Sequence, residues 1–338
     1  MKRRSLGLLA LGTCLSLVGP LAGLAGCKVN KASDKAAGVS EPGASASSAS
    51  AQGGKPGTIA LTLMTYNNPF FSVIKSVARK TAEAKGFQFR EHDAQLDANK
   101  QAAAIEDFLA QGVSAILLNP VDSASIVKSV EKANQQGVPV ITIDVNADGG
   151  KLATFVASDN FKLGVLTGEY IAERLKGKGK IALLTHPTVT SGLNRQQGLK
   201  SVLAKHPGIE IVAEQATRGE RLASVNITEN ILTANRKLDC IWAINDPTAL
   251  GAIQAVKHAK REGELFVAAI DGSPEAVEAI KQGGPFAASA AQYPQKMAVA
   301  AVEQALKALE GEKLAPFYAI DGSLVTRDTL ASYPGWAE

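Results

Sequence analysis

Amide and acid side chains recur in this 338-residue chain directly after short apolar runs. TIALTLMTYNN ends in Asn67 and Asn68, SAILLNP in Asn119-Pro120, VPVITID in Asp144, LDCIWAIND in Asn245-Asp246, LFVAAID in Asp271 and FAASAAQ in Gln292. Asn and Gln both donate and accept, Asp accepts, and Arg195, the candidate cation of the set, donates a planar fork. That inventory suits vicinal hydroxyl groups, each of which also donates and accepts. Phe70 and Phe71, side by side after Asn68, supply an apolar surface for the C–H face of a ring; apolar walls carrying a few fixed polar groups are the general form of a small-molecule site. Each residue also has a plainer role. Asn67 or Asn68 can cap the next helix with Pro69 at its first position. Asn119-Pro120 is a turn signal, Asp246-Pro247 and Ser273-Pro274 are helix starts, and adjacent Phe residues are ordinary core. The recurrence of the pattern after so many runs carries the expectation. Catalysis is not expected, since His92, His186, His206 and His258 stand in no catalytic spacing and no H-E-x-x-H, G-x-S-x-G or Cys/His metal motif occurs. No cofactor and no metal follow from these residues, and KGKGK, residues 176–180, reads as a turn before an apolar run.

The elements that must position these groups alternate in type. From Thr58 onward, short apolar runs are followed by amphipathic helical patterns, first as far as VPVITID and then again from KIALLTH to QKMAVAAVEQALKALEGEK. The early helical patterns stop at Gly86, Gly112 and Gly137, as helix C-termini do. The apolar runs are continuous rather than alternating, which suits parallel strands covered on both faces. Two such sets predict an α/β protein of two doubly wound parallel-sheet lobes, with ATFVASDN (residues 153–160) as the first crossover. In open sheets of this kind ligands bind beyond the carboxyl ends of the strands, where the amides and acids fall.

The first 27 residues read as an export signal, with MKRRS as the charged region and an apolar stretch interrupted by Gly and Pro20. Leu24-Ala25-Gly26-Cys27 resembles the bacterial lipobox, which predicts cleavage before Cys27, its lipidation, and a protein anchored to the membrane in the periplasm or at the cell surface. Residues 28–56 are rich in Ala, Ser and Gly and read as a flexible tether. Cys14 lies in the signal, which leaves Cys240 without a disulfide partner and suited to a core. Formal net charge is +4; without Lys2, Arg3 and Arg4 the chain has 33 basic and 32 acidic residues, so a nucleic-acid footprint is absent.

Residues 58 to about 313 resemble the periplasmic ribose-binding proteins, the type I solute-binding components of ABC sugar importers. TIALTLMTYNNPFF, ILLNPVDS, GVPVITID, VASDN, NDPTALGAI, AIDGSPEAVEAI and AAQYP carry the resemblance. It implies the type I periplasmic binding protein fold, with three crossovers between lobes at 57–159 plus 292–319 and at 160–291 plus 320–338. It also implies a monomer that closes on a pentose or related sugar or polyol and serves an ABC permease and ATPase complex. By motif, Asn68, Phe70, Phe71 and Asp144 would contact the sugar from the first lobe and Arg195 from the second. Asn119 at the end of its strand, Ser158 near the crossover and Arg218 would also bind the ligand, and Asn245, Asp271 and Gln292 would complete the hydroxyl ring. The sequence departs from the family pattern at Val145 (usually Arg), Met64 (usually Ser), Ile270 (usually aromatic) and Arg218 (usually aromatic). A cation at 218 would suit an acidic or a bulkier, more polar sugar. A sensory receptor of the same fold is the alternative; a sugar-responsive repressor would carry a helix-turn-helix where this chain has a signal and tether.

Overall fold

The wholly apolar runs become interior strands. In the computed structural model, which describes residues 57–336, β3 (Ala115–Leu118), β4 (Val140–Ile143) and β8 (Cys240–Ala243) have every residue buried. The lipidation, signal and tether expectations, Cys27 included, lie outside the described residues. β2 (Gln88–Asp93) and β7 (Gly208–Ala216) are far more polar and partly exposed, and both are edge strands. Burial on two faces selects Val, Ile and Leu; an edge does not.

Two six-stranded sheets result. The first runs β11-β5-β4-β3-β1-β2, where β1 is Thr58–Leu63, β5 is Thr154–Ser158 and β11 is Phe317–Ile320. The second runs β12-β10-β9-β8-β6-β7, where β6 is Lys178–Thr185, β9 is Phe266–Asp271, β10 is Phe286–Ala291 and β12 is Ser323–Thr326. All pairings are parallel except that of β12 with β10. The chain passes between the sheets three times: after β5, after β10, and between β11 and β12. This is the type I periplasmic binding protein architecture of two α/β lobes.

Helices cover both faces of each sheet. In the first lobe, α1 (Pro69–Ala84) and α9 (Pro294–Leu309) bury Ile74, Val77, Met297 and Val302 against one face, and α2 (Ala98–Ala110) and α3 (Val127–Gln135) bury Ile105, Phe108 and Val130 against the other. In the second lobe, α6 (Arg221–Ala234), α7 (Asp246–His258) and α8 (Pro274–Gln282) cover one face, and α4 (Asn160–Arg174) and α5 (Thr190–Leu203) the other. Cys240 is fully buried in that second core. Gly86, Gly112 and Gly137 follow α1, α2 and α3 with φ of 82°, 69° and 71°, the left-handed exits their positions predict.

Two places differ from the sequence reading. Residues 176–180 are not all turn: Lys176 and Gly177 turn at φ 52° and 74°, and Lys178 already begins β6, paired with Gly208. β11 is an apolar run of only four residues, FYAI, and lies at a sheet edge rather than inside, and β12, SLVT, has two apolar residues.

One contact decides where the second lobe places its cation. α4 and α5 meet through glycines: a Cβ on Gly198 would lie 2.0 Å from the Phe161 carbonyl oxygen, and one on Gly164 would lie 2.0 Å from that of Arg195. Hydrogen alone fits there, and the close approach brings Asn160 within reach of Arg195.

Candidate functional site

A cavity of about 510 Å³ opens at the carboxyl ends of both sets of strands. Most of the residues expected there line it. Asn68, Phe70, Phe71 and Asp144 come from the first lobe, Arg195, Arg218, Asn245 and Asp271 from the second, and Gln292 from a crossover. Two do not. Asn119 is fully buried behind the wall, where its Nδ2 donates to the Ile143 carbonyl (3.0 Å) and its Oδ1 accepts from Met64 N (3.2 Å). It ties β1 to β4 and holds Asp144 from the rear. Ser158 is also buried outside the cavity lining, its Oγ without a hydrogen-bond partner among the described residues.

The floor is built around Arg195. Its Nε donates to Asn160 Oδ1 (2.8 Å) and its Nη1 to the Ile244 carbonyl (3.0 Å), so the guanidinium is fixed from two sides. It stands between the carboxylates of the two lobes, 3.9 Å from Asp144 Oδ1 and 3.8 Å from Asp271 Oδ1. Those separations exceed hydrogen-bond length, and all three side chains are buried. Among the described residues Asp144 Oδ1 consequently has no hydrogen-bond partner, and neither has Gln292 Oε1, while Gln292 Nε2 donates to Asp271 Oδ1 at 2.9 Å. Buried acceptors without donors are rare in folded proteins. A hydroxyl group set beside Asp144 and Arg195 would donate to the first and accept from the second.

The backbone is strained at both acids. Asp144 has φ 64° and Asp271 φ 139°, uncommon for non-glycine residues, so the strand-end geometry is held by its surroundings. Trp336 supplies part of that hold: its Nε1 donates to the Asp271 carbonyl (3.2 Å) and the Gln292 carbonyl (3.0 Å), and its ring meets Phe70 edge-on at 5.6 Å. Phe70 and Phe71 are themselves perpendicular, with centroids 5.5 Å apart. Both belong to the first-lobe core as well as to the cavity wall. Asn68 is the cap of α1, its Oδ1 accepting from Phe70 N at 2.9 Å. Asn245 caps α7 through Thr248 N (3.0 Å) and donates to the Gly219 carbonyl (3.1 Å), which leaves one amide hydrogen and one lone pair.

Charge is arranged against solvent. Burial pushes the Asp144 carboxyl up to about 6, against the pull of Arg195 and the Asn119 amide. Asp271 is held well above the carboxylate range by burial and then by Asp246, a fully buried neighbour. Asp246 is raised to about 6 by burial, against hydrogen bonds from Ser289 Oγ (2.6 Å) and Ser273 N (2.7 Å). His186, buried in the cavity wall, is lowered to about 4 by burial and by Arg218 and Arg195, so near neutral pH it is an uncharged donor–acceptor.

The mouth differs from the floor. Arg218 is exposed, sits at φ 55°, and reaches across the cleft to donate from Nη2 to the Leu96 carbonyl at 3.1 Å. Of the positions that depart from the family pattern, Met64 and Val145 line the cavity, but Ile270 does not: its side chain is fully buried in the second-lobe core. Along a strand, neighbouring residues point oppositely, and it is Asp271 that reaches the cleft.

Asn160, His186 and Trp336 were not legible as site residues. Asn160 closes the VASDN motif, two residues after Ser158, and it is Asn160 whose side chain meets Arg195. Trp336 owes its place to tertiary packing alone.

Comparison with known proteins agrees with this geometry. Residues 59–313 match the model of the periplasmic binding protein domain. The ribose import binding protein RbsB of Escherichia coli is 35% identical over 271 residues, which cover 80% of this chain and 90% of the relative. A periplasmic solute-binding protein of an ABC transporter from Actinobacillus succinogenes, solved with bound D-allose, superimposes with a TM-score of 0.76 at 32% identity, covering 82% of this chain and 100% of the other. An ABC transporter solute-binding protein from Bacillus halodurans, solved with myo-inositol, gives 0.78 at 29% identity, covering 83% and 99%. The chain belongs to the periplasmic binding protein family.

Proposed function

We propose that this periplasmic binding protein captures a monosaccharide or a related polyol between its lobes and delivers it to the permease of an ABC importer. The observation that carries the reading is the floor of the cavity: among the described residues two buried acceptors, Asp144 Oδ1 and Gln292 Oε1, have no donor, and the Arg195 guanidinium is held just too far from Asp144 and Asp271 to bond either acid. Leaving such groups unpaired costs about 1–3 kcal/mol each, and ligand hydroxyls remove that cost. Asp144, Arg195, Asp271 and Gln292 take the hydroxyls, Asn68, Asn245 and His186 add donors and acceptors, and Phe70 and Phe71 cover the C–H face. Asn119 and Ser158 act from behind the wall, and Arg218 acts from the mouth. The named ligands of the relatives, ribose, D-allose and myo-inositol, are all vicinal polyols, which supports this class.

Acylation of Cys27 would keep the binding lobes within reach of the permease. Metabolic labelling with a fatty acid, lost in Cys27→Ser, tests that anchor. The ligand is tested by thermal shift of the purified protein against D-ribose, D-allose, myo-inositol, other pentoses and hexoses, and sugar acids. A ligand that binds only the folded state at 100 times its Kd adds about 2.7 kcal/mol of stability. One clear stabiliser among the polyols supports the reading; none at millimolar concentration refutes it.

A further inference from the structure

α5 carries Arg195, yet its N-terminus is not capped by its own lobe. Val189, the residue before Thr190, has no side-chain acceptor. The first N–H groups of a helix need partners from outside the helix. For Thr190 N the partner is Ser123 Oγ, 3.1 Å away, on the loop after β3 in the first lobe. Ser123 N in turn donates to the Thr188 carbonyl at 3.2 Å. Thr190 Oγ1 accepts from Asn146 N (2.9 Å) and donates to the Asn146 carbonyl (3.3 Å). Four hydrogen bonds therefore join the two lobes at one helix end.

The first-lobe side of this junction is braced. Asp148 N donates to the Ser123 carbonyl (2.8 Å), and Thr142 Oγ1 donates to Asn146 Oδ1 (2.7 Å), so the loops carrying Ser123 and Asn146 move together. Asn146 is two residues from Asp144, and Thr190 is five residues before Arg195. When the junction forms, it brings to one place the segments that bear the facing charges of the cavity floor.

We infer that Ser123, Asn146 and Thr190 form an interlobe clasp, in which the first lobe caps a helix of the second, and that this clasp sets the balance between the open and closed states. Thr190 and Ser123 do not have to touch the ligand: they are positioning residues that raise affinity for whatever binds by raising the population of the closed form. The clasp has two consequences that ligand contacts would not share. It acts without ligand, and its loss weakens all ligands by one factor.

The experiment compares full-length wild type with Thr190→Ser, Thr190→Val and Ser123→Ala. The first readout is small-angle X-ray scattering in sugar-free buffer and does not depend on the proposed ligand class. Thr190→Val and Ser123→Ala should have a larger radius of gyration than wild type, and Thr190→Ser, which keeps the hydroxyl, should match wild type. Melting curves with a single transition near that of wild type show that the lobes remain folded. The second readout rests on the proposed function and uses D-ribose and D-allose. Loss of one or two of these bonds should speed dissociation about tenfold for both sugars, with the ratio of their affinities unchanged. Equal radii in all four proteins overturn the clasp, as does an affinity ratio that changes with Thr190→Val. If neither sugar binds wild type, the proposed ligand class is at fault and the scattering alone decides the clasp.

Discussion

Asp144→Asn keeps the shape of the floor carboxylate and removes its charge, and it should stabilise the protein while weakening binding. The ordinary value of 3.8 for this carboxyl rises to about 6 in the folded protein because burial disfavours the charge more than Arg195 and Asn119 favour it. The sign follows. Between pH 3.8 and about 6 the folded state binds more protons than the unfolded chain, so stability falls as pH rises through that window. Above about 6 the loss is complete. A gap of about two pH units at 1.36 kcal/mol each amounts to about 3 kcal/mol at pH 8. The asparagine variant does not bear this loss. In thermal unfolding followed by circular dichroism without sugar, it should melt above wild type by about 6 °C at pH 8, and the two curves should converge near pH 4. Binding should move the other way, because a carboxylate oxygen poised to accept is gone. A variant no more stable than wild type at pH 8, or a difference constant from pH 4 to 8, would show that Asp144 is charged at no cost and that the floor is not the strained acceptor described above.

The remaining predictions address the supports of that floor. Gly198→Ala drives a methyl group into the Phe161 carbonyl, so it should destabilise the protein by about 1–3 kcal/mol and loosen the Asn160–Arg195 bond; an unchanged melting temperature would contradict the close contact of α4 and α5. Trp336→Phe retains the aromatic packing but takes the indole donor from the Gln292 carbonyl and leaves the Asp271 carbonyl with Gln292 N alone, so chemical denaturation should report a loss of about 1–2 kcal/mol. Arg218→Ala removes one exposed bond across the mouth, so sugar release should quicken no more than about tenfold, whereas Arg195→Ala, which strands two buried acids, should abolish binding; equal effects would put Arg218 on the floor.

The architecture was legible because its signals are local. AILL, VITI and CIWA are continuous apolar runs of the kind that a parallel sheet covered on both faces buries, and most of the polar residues that end such runs line the cleft. Asn68 reads correctly both as a cap and as a wall residue, since one side-chain oxygen can serve the helix while the amide faces the cavity. What escaped depends on distance in the chain. Nothing in PGW identifies Trp336 as the donor to two strand ends more than 40 residues upstream. The FYAI and SLVT strands are short, and Phe317 and Tyr318 remain about two-fifths exposed, so periodicity could not mark them. Ile270 and Asp271 are neighbours in the sequence but face opposite sides of the sheet, which is why a substitution at 270 does not reach the ligand wall. Asn119 ended its strand as expected but faces the interior, where it works as a brace.

The order of the crossovers has a consequence for how the chain is made. α9, which covers one face of the first sheet, and β11, which completes its edge, are synthesised after the whole of the second sheet except β12. As the chain leaves the ribosome, residues 58–158 can form five strands but have no α9 to bury Ile59, Leu117 and Ile141. The first lobe must therefore wait, that face covered by α1 alone, until almost the entire polypeptide is available. Long-range closure of this kind slows folding. A nascent chain of this design stays open and unfinished for most of its synthesis, and its two halves are completed nearly together at the end.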